Sequence, residues 1–224
     1  MGRNPNIFDG LVTDENSTTE LLCKLMQFAA FRRPLLARLL HDTCASKIAF
    51  DDISTQVNLS EDSGRPDIII RNGEVCVFIE VKVTEYRGLT PKQPGSYFSS
   101  LSKESAPERW LVFLVPRNWE ERPDLESSLE RLKANNRGIS TNIVDWGEVI
   151  GLIEENDLAE MNPFLDEFSK LLKARFMPEP IAFSTKEVFM LFSKDFPAAL
   201  SKLDQLIDQI RKKSGSYKLD QSFQ

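Results

Sequence analysis

A chain of 224 residues with 41% hydrophobic and 28% charged content is long enough for one α/β domain with an appendage, and no apolar run approaches the ~20 residues that span a bilayer. Three cysteines without a CxxC pair, and His41 as the single histidine, exclude a zinc ribbon, a disulfide framework and any multi-histidine metal site. A net charge of −6 argues against wrapping nucleic acid by bulk charge, but not against a locally basic cleft or carboxylates that hold a cation against phosphate.

Residues 1–16 form a polar lead-in with no charged start and apolar core of an export signal, so a cytoplasmic location is expected. Ser17-Thr18-Thr19-Glu20 has the S-x-x-E form of a capping box that opens an amphipathic helix with Leu21, Leu22, Leu25, Met26 and Phe28 on its apolar face. Pro34 predicts a break or restart, with "PLLARLLHDTC" as the second piece; His41, beside Leu39 and Leu40, reads as a packing residue. "KIAFDDISTQVNLS" reads as a first strand.

"PDIII", Asn72-Gly73 and "EVCVFIEVKV" predict a hairpin with a type I′ turn. A helix follows within "LTPKQPGSYFSSLSKES", its first turn weakened by Gly95, then a buried strand "RWLVFLVP" and a charged helix "DLESSLERLKAN". A strand "GISTNIVDW" and the helices "GEVIGLIEEN" and "PFLDEFSKLLKARF" complete a domain over residues 1–177. The Pro178 and Pro180 kink marks a linker to an appendage, residues 178–224, with two helices, "KEVFMLFSKDF" and "AALSKLDQLIDQIRKK". Their apolar stripe suits packing on the domain or a homo-oligomeric contact.

Within the hairpin, alternation decides which way each side chain points. A turn centred on Asn72-Gly73 pairs Asp67 with Phe78, which puts Asp67, Glu80 and Lys82 on one face with Glu80 diagonal to Asp67. The opposite face, Ile68, Ile70, Val75, Val77, Ile79 and Val81, is wholly apolar and must be covered by helices. Two carboxylates this close repel unless a cation compensates. An all-oxygen donor set suits a hard ion, Mg²⁺ or Mn²⁺. Lys82 on the same face can orient a water, help deprotonate it, or steady negative charge on a phosphoryl group. The competing reading is a buried ion network that serves only the fold. Glu-x-Lys alone recurs by chance about once in a chain of this composition, so the signal lies in the combination with Pro-Asp and the intervening turn.

Pro66-Asp67 followed by Glu80-Val81-Lys82 resembles the signature of the PD-(D/E)XK nuclease superfamily. Gln93 and Tyr97 in "QPGSY" resemble the Q-x-x-x-Y motif of its exonuclease-like branch, and "ENSTTELL" resembles the E-N-x-x-T opening of the first helix in several bacterial members. The resemblance covers about residues 12–150. It implies a restriction endonuclease-like core: a mixed sheet of four or five strands flanked by helices. It also implies Asp67 and Glu80 as metal ligands with the Val81 backbone carbonyl as a third, Lys82 as the catalytic lysine, and Gln93 and Tyr97 near the substrate. Glu15 is the candidate for an outer metal contact, and Arg87 and Lys92 are candidates for phosphate contacts. The expected activity is Mg²⁺- or Mn²⁺-dependent hydrolysis of a nucleic-acid phosphodiester, DNA ahead of RNA. The alternative is a non-cleaving module on the same fold that binds nucleic acid or protein.

Overall fold

The computed structural model describes residues 6–41, 44–56, 64–86, 88–90, 92–136, 138–177 and 201–202. The chain divides into two compact units, Met1–Pro178 and Glu179–Gln224. The two expected C-terminal helices fall, apart from residues 201–202, outside the described residues.

Helix α1 (Glu15–Leu25) starts earlier than the sequence pattern predicts. Asp14 is the N-cap: its carboxylate accepts the Ser17 amide at 2.8 Å, and Ser17 Oγ in return accepts the Asp14 amide. Ser17 therefore closes the capping box instead of opening one. That leaves Glu20 free to accept a hydrogen bond from Thr55 Oγ1 at 2.8 Å. The earlier start puts Glu15 at the first helical position, where the exposed amides favour an acid. Pro34 does not break α2 (Ala29–Leu40); the chain breaks at residues 26–28 instead. One missing backbone hydrogen bond is outweighed by complete burial of Phe31, Leu35, Leu36 and Leu40. His41 ends α2 in a left-handed conformation (φ 50°), with its ring 5.8 Å from that of Trp110.

Five strands form one mixed sheet in the order β1-β2-β3-β4-β5. The expected first strand is reduced to β1 (Ile53–Thr55), preceded by two single 3₁₀ turns, and residues 57–60 lie outside the described residues. Strands β2 (Ile68–Arg71) and β3 (Val75–Val81) are antiparallel, as are β1 and β2, whereas β4 (Glu108–Val115) and β5 (Ser140–Asp145) run parallel to β3. Parallel pairing needs crossovers. Helices α3 (Gly95–Leu101) and α4 (Arg122–Asn135) supply them and cover one face through Tyr97, Phe98, Leu101, Leu125 and Leu129. The other face carries Ile68, Ile70, Val75, Val77, Ile79 and Val81, packed against α1, α2, α5 (Trp146–Glu155) and α7 (Pro163–Phe176). A short α6 (Leu158–Met161), not foreseen in the sequence, joins α5 to α7. Cys23, Cys44 and Cys76 are buried, and none of them forms a disulfide among the described residues. No helix among the described residues is long and apolar enough to cross a membrane.

The hairpin register differs from the expected one by two residues. Ile68 pairs with Ile79 and Ile70 with Val77, and the Asn72 amide donates to the Val75 carbonyl at 2.9 Å, so Gly73 and Glu74 occupy the turn. Neither Asn72 nor Gly73 has the positive φ that a type I′ turn requires. The cause is the Asn72 side chain. Its Oδ1 accepts the amides of Glu74 and Val75, while its Nδ2 donates to the Lys47 carbonyl and to Asp52 Oδ2. These four bonds lock Asn72 as the closing residue of the turn. A shift of two preserves parity, so the apolar and charged faces remain as predicted. Asn72→Ala should therefore destabilise the protein by about 2 kcal/mol. Gly73→Ala, whose added Cβ would meet nothing within 4 Å, should cost less than about 1 kcal/mol. Urea midpoints of the two variants check this; the reverse order would indicate a glycine-dependent turn.

Candidate metal centre

Continued one step beyond its last pair, Ile68 with Ile79, the register aligns Asp67 with Glu80, where the sequence pattern made them diagonal. The ladder stops there for a chemical reason. Alternation from the Asn72 and Val75 pair makes Pro66 and Val81 the next hydrogen-bonding pair, but proline has no N–H. The Val81 carbonyl thus receives no ladder donor. The Val81 amide instead donates to Asp67 Oδ2 at 2.7 Å. Because the N–H and C=O of one strand residue emerge from the same edge, the Val81 carbonyl opens on the Asp67 side.

Three elements meet at this splayed end. Glu15 comes from the first turn of α1, Asp67 from the residue before β2, and Glu80 from β3; one carboxylate oxygen of each lies within 4.8 Å of the others. Lys82 Nζ donates to Glu80 Oε1 at 2.6 Å and to Glu15 Oε1 at 3.2 Å. Glu80 and Lys82 are only 4% and 6% exposed. Tyr97 OH donates to Glu80 Oε2 at 2.7 Å, and Gln93 Nε2 lies 2.9 Å from Glu80 Oε1 and 2.6 Å from Tyr97 OH. The helix predicted around "QPGSY" begins only at Gly95. Gln93 sits in the preceding turn, followed by a cis Gln93–Pro94 peptide, with its Oε1 accepting the Thr90 amide.

Burial, and then the charge of Glu80, push the Asp67 carboxyl up to about 7, against the pull of the Val81 amide. Burial also works against the Lys82 ammonium, but Glu80, followed by Glu15 and Asp67, outweighs it and the net shift is upward. Burial and the Glu80 charge likewise raise the Tyr97 phenol, which stays a donor. Three carboxylates face one ammonium, which leaves two negative charges when all are ionised. A hard divalent cation would cancel them, and the donors are all oxygen: Asp67, Glu80, Glu15 and the Val81 carbonyl. The residues present fit such an ion.

Of the residues singled out in the sequence, Glu15, Asp67, Glu80, Val81, Lys82, Gln93 and Tyr97 converge. Lys92 is exposed and lines a cleft with Gln93 and Tyr97. Arg87 lies outside the described residues. Two positioning residues were not legible. Trp146 Nε1 donates to the Lys82 carbonyl at 2.8 Å, and its ring stacks on Phe176 with centroids 5.3 Å apart. Arg175 reaches from α7 to Thr18 Oγ1 (2.8 Å) and to the Val12 carbonyl (2.7 Å), and so holds the turn that carries Glu15. Nothing in local sequence marks either residue, because their partners lie 64 and 157 positions away.

Arg175→Met should lower stability by about 1–3 kcal/mol, seen as a lower urea midpoint, because two acceptors lose a charged donor. In chelator, folded Asp67 keeps its proton up to about 7 whereas the unfolded chain releases it near 3.8. The native state binds the extra proton between these values, so this contribution to stability is complete below about 3.8 and lost as pH rises through about 7. Asp67→Asn should flatten that part of the stability profile, measured by thermal unfolding across the range. No family model matches the chain, and no curated protein matches it.

Proposed function

We propose that this site is the metal centre of a nuclease of the PD-(D/E)XK superfamily, on a restriction endonuclease-like core, that hydrolyses nucleic-acid phosphodiesters, DNA ahead of RNA. The observation that carries the reading is the convergence of Glu15, Asp67 and Glu80 within 4.8 Å, with Lys82 against two of them. A divalent cation held by Asp67, Glu80, Glu15 and the Val81 carbonyl would supply Lewis-acid charge beside the phosphate.

The chain's own groups provide the rest. Lys82 lies against Glu80 and Glu15, placed to donate to an attacking water or to a phosphoryl oxygen. Glu80 has its orientation fixed from both oxygens by Lys82, Gln93 and Tyr97. The Val81 amide fixes Asp67. Such pre-set groups need no reorganisation as charge develops.

The second reading is a non-cleaving module on the same core, binding nucleic acid or protein. The 2.6 Å Lys82–Glu80 pair favours it to the extent that a buried ion pair suffices to hold the hairpin end.

Calorimetric titration with Mn²⁺ separates the two, and incubation with linear, circular and single-stranded DNA with and without Mg²⁺ reads the chemistry. Wild type should bind Mn²⁺ and cleave. Asp67→Asn should lose binding. Lys82→Gln should retain Mn²⁺ binding while cleavage falls by about 100-fold or more. Absence of Mn²⁺ binding by the wild type would sink the nuclease reading.

A further inference from the structure

Among the described residues, three other than glycine have a positive φ: His41, Gln56 and Asp157. His41 ends α2, and Asp157 stands just beyond α5, its backbone N–H donating to the Glu154 carbonyl at 3.2 Å. Left-handed residues at helix ends are ordinary, and histidine and aspartate are among the residue types that adopt them. Gln56, with φ 53°, is different: it follows strand β1, where glycine would hold the same backbone without a Cβ to oppose it. Its place in the sheet is beside the acids. The β1–β2 register pairs Thr55 with Ile68, so one further step aligns Gln56 with Asp67, and the Gln56 backbone N–H donates to the Asp67 carbonyl at 3.1 Å. Gln56, Asp67 and Glu80 thus stand in one row across the end of the sheet. The Gln56 side chain is half-buried and makes no hydrogen bond to a described residue.

A strained backbone that the fold does not require points to a side chain held for function. The neighbours define what that side chain can meet. Glu15, Asp67 and Glu80 lie within 4.8 Å of one another, with Lys82 against two of them. A second lysine or arginine beside Asp67 would pair with these acids and displace the divalent ion they suit. A carboxylate there would repel phosphate. Glutamine avoids both: its neutral amide carries two hydrogens that phosphate oxygens accept, and it leaves the acids to the ion. We propose that Gln56 is a substrate-binding residue whose side-chain amide donates to a phosphate oxygen of nucleic acid at the acidic site. This rests on the nuclease reading for the identity of the ligand, while the contact is testable without catalysis.

Fluorescence anisotropy of the full-length protein in Ca²⁺, a hard ion that also takes oxygen ligands, supplies the test, with a labelled DNA duplex, DNA strand and RNA strand as probes. Gln56→Gly removes the amide and relaxes the backbone, so its thermal midpoint should equal or exceed that of the wild type. Gln56→Met keeps the length of the side chain but not its donor. Both should bind the tightest of these probes about fivefold or more weakly than the wild type does, with Mn²⁺ affinity by calorimetry within about twofold. Because a neutral amide releases no counterion, the loss should be the same in low and high salt. Wild-type affinity in either variant would overturn the contact, as would a lower thermal midpoint for Gln56→Gly, a fall in Mn²⁺ affinity, a loss that changes with salt, or no binding of any probe by the wild type. If both variants bind weakly and the wild type does not cut in Mg²⁺, the contact stands and the nuclease reading fails. If the wild type cuts and both variants bind as it does, the reverse holds.

Discussion

The bond from the Val81 amide to Asp67 Oδ2 is the contact on which the site depends. It stands where the β2–β3 ladder ends, one residue after Pro66, which has no N–H to offer the Val81 carbonyl. The Asp67 carboxylate accepts the Val81 amide, which holds Asp67 toward β3, with an oxygen within 4.8 Å of one from Glu80. Had residue 66 carried an N–H, the ladder could have run on and the Val81 carbonyl would have had a donor. One proline thus ends the pairing and leaves the Val81 carbonyl without a ladder donor.

Around that point the protein holds charge it does not fully neutralise. Lys82 is shared between Glu80 and Glu15, and burial, followed by the charge of Glu80, raises the affinity of Asp67 for a proton. A buried ion pair is seldom retained for stability, since desolvation offsets most of its attraction. Here the cluster is also held from outside. Trp146 grips the backbone of Lys82, Phe176 stacks on Trp146, and Arg175, the neighbour of Phe176, grips the first turn of α1. The last turn of α7 therefore braces both the lysine's backbone and the helix that carries Glu15. Packing that rigid around an uncompensated cluster is the arrangement expected where geometry, not net stabilisation, is at stake.

The overall acidity of the chain and its proposed dealings with phosphate are reconciled locally. Cations are few near the acids, but Lys82 is inside the cluster and Arg65 and Lys92 line the adjoining cleft. A divalent ion would change the sign of the remaining field at the centre. Long-range attraction of nucleic acid is not required for a short-range site of this kind.

Much of the layout was legible along the chain because it depends on period-two alternation. That alternation put Asp67, Glu80 and Lys82 on one side and six aliphatics on the other, and a two-residue slip leaves it intact. The order of strands and helices from residue 68 to 176, the short α6 apart, was readable for the same reason, since each of those elements carries its own apolar periodicity and breakers. The turn centre was not readable: Asn72 is held by Lys47 and Asp52, contacts that no hairpin rule contains. Nor was the start of α1, where Asp14 and Ser17 outcompeted an equally plausible box, nor the survival of α2 through Pro34, which burial decided. By itself the sequence determined which groups share a face, because that is a property of neighbours along a strand. Only the tertiary structure decided which of them meet, and that Glu15, Trp146 and Arg175 complete the site, because those contacts join residues far apart in the chain.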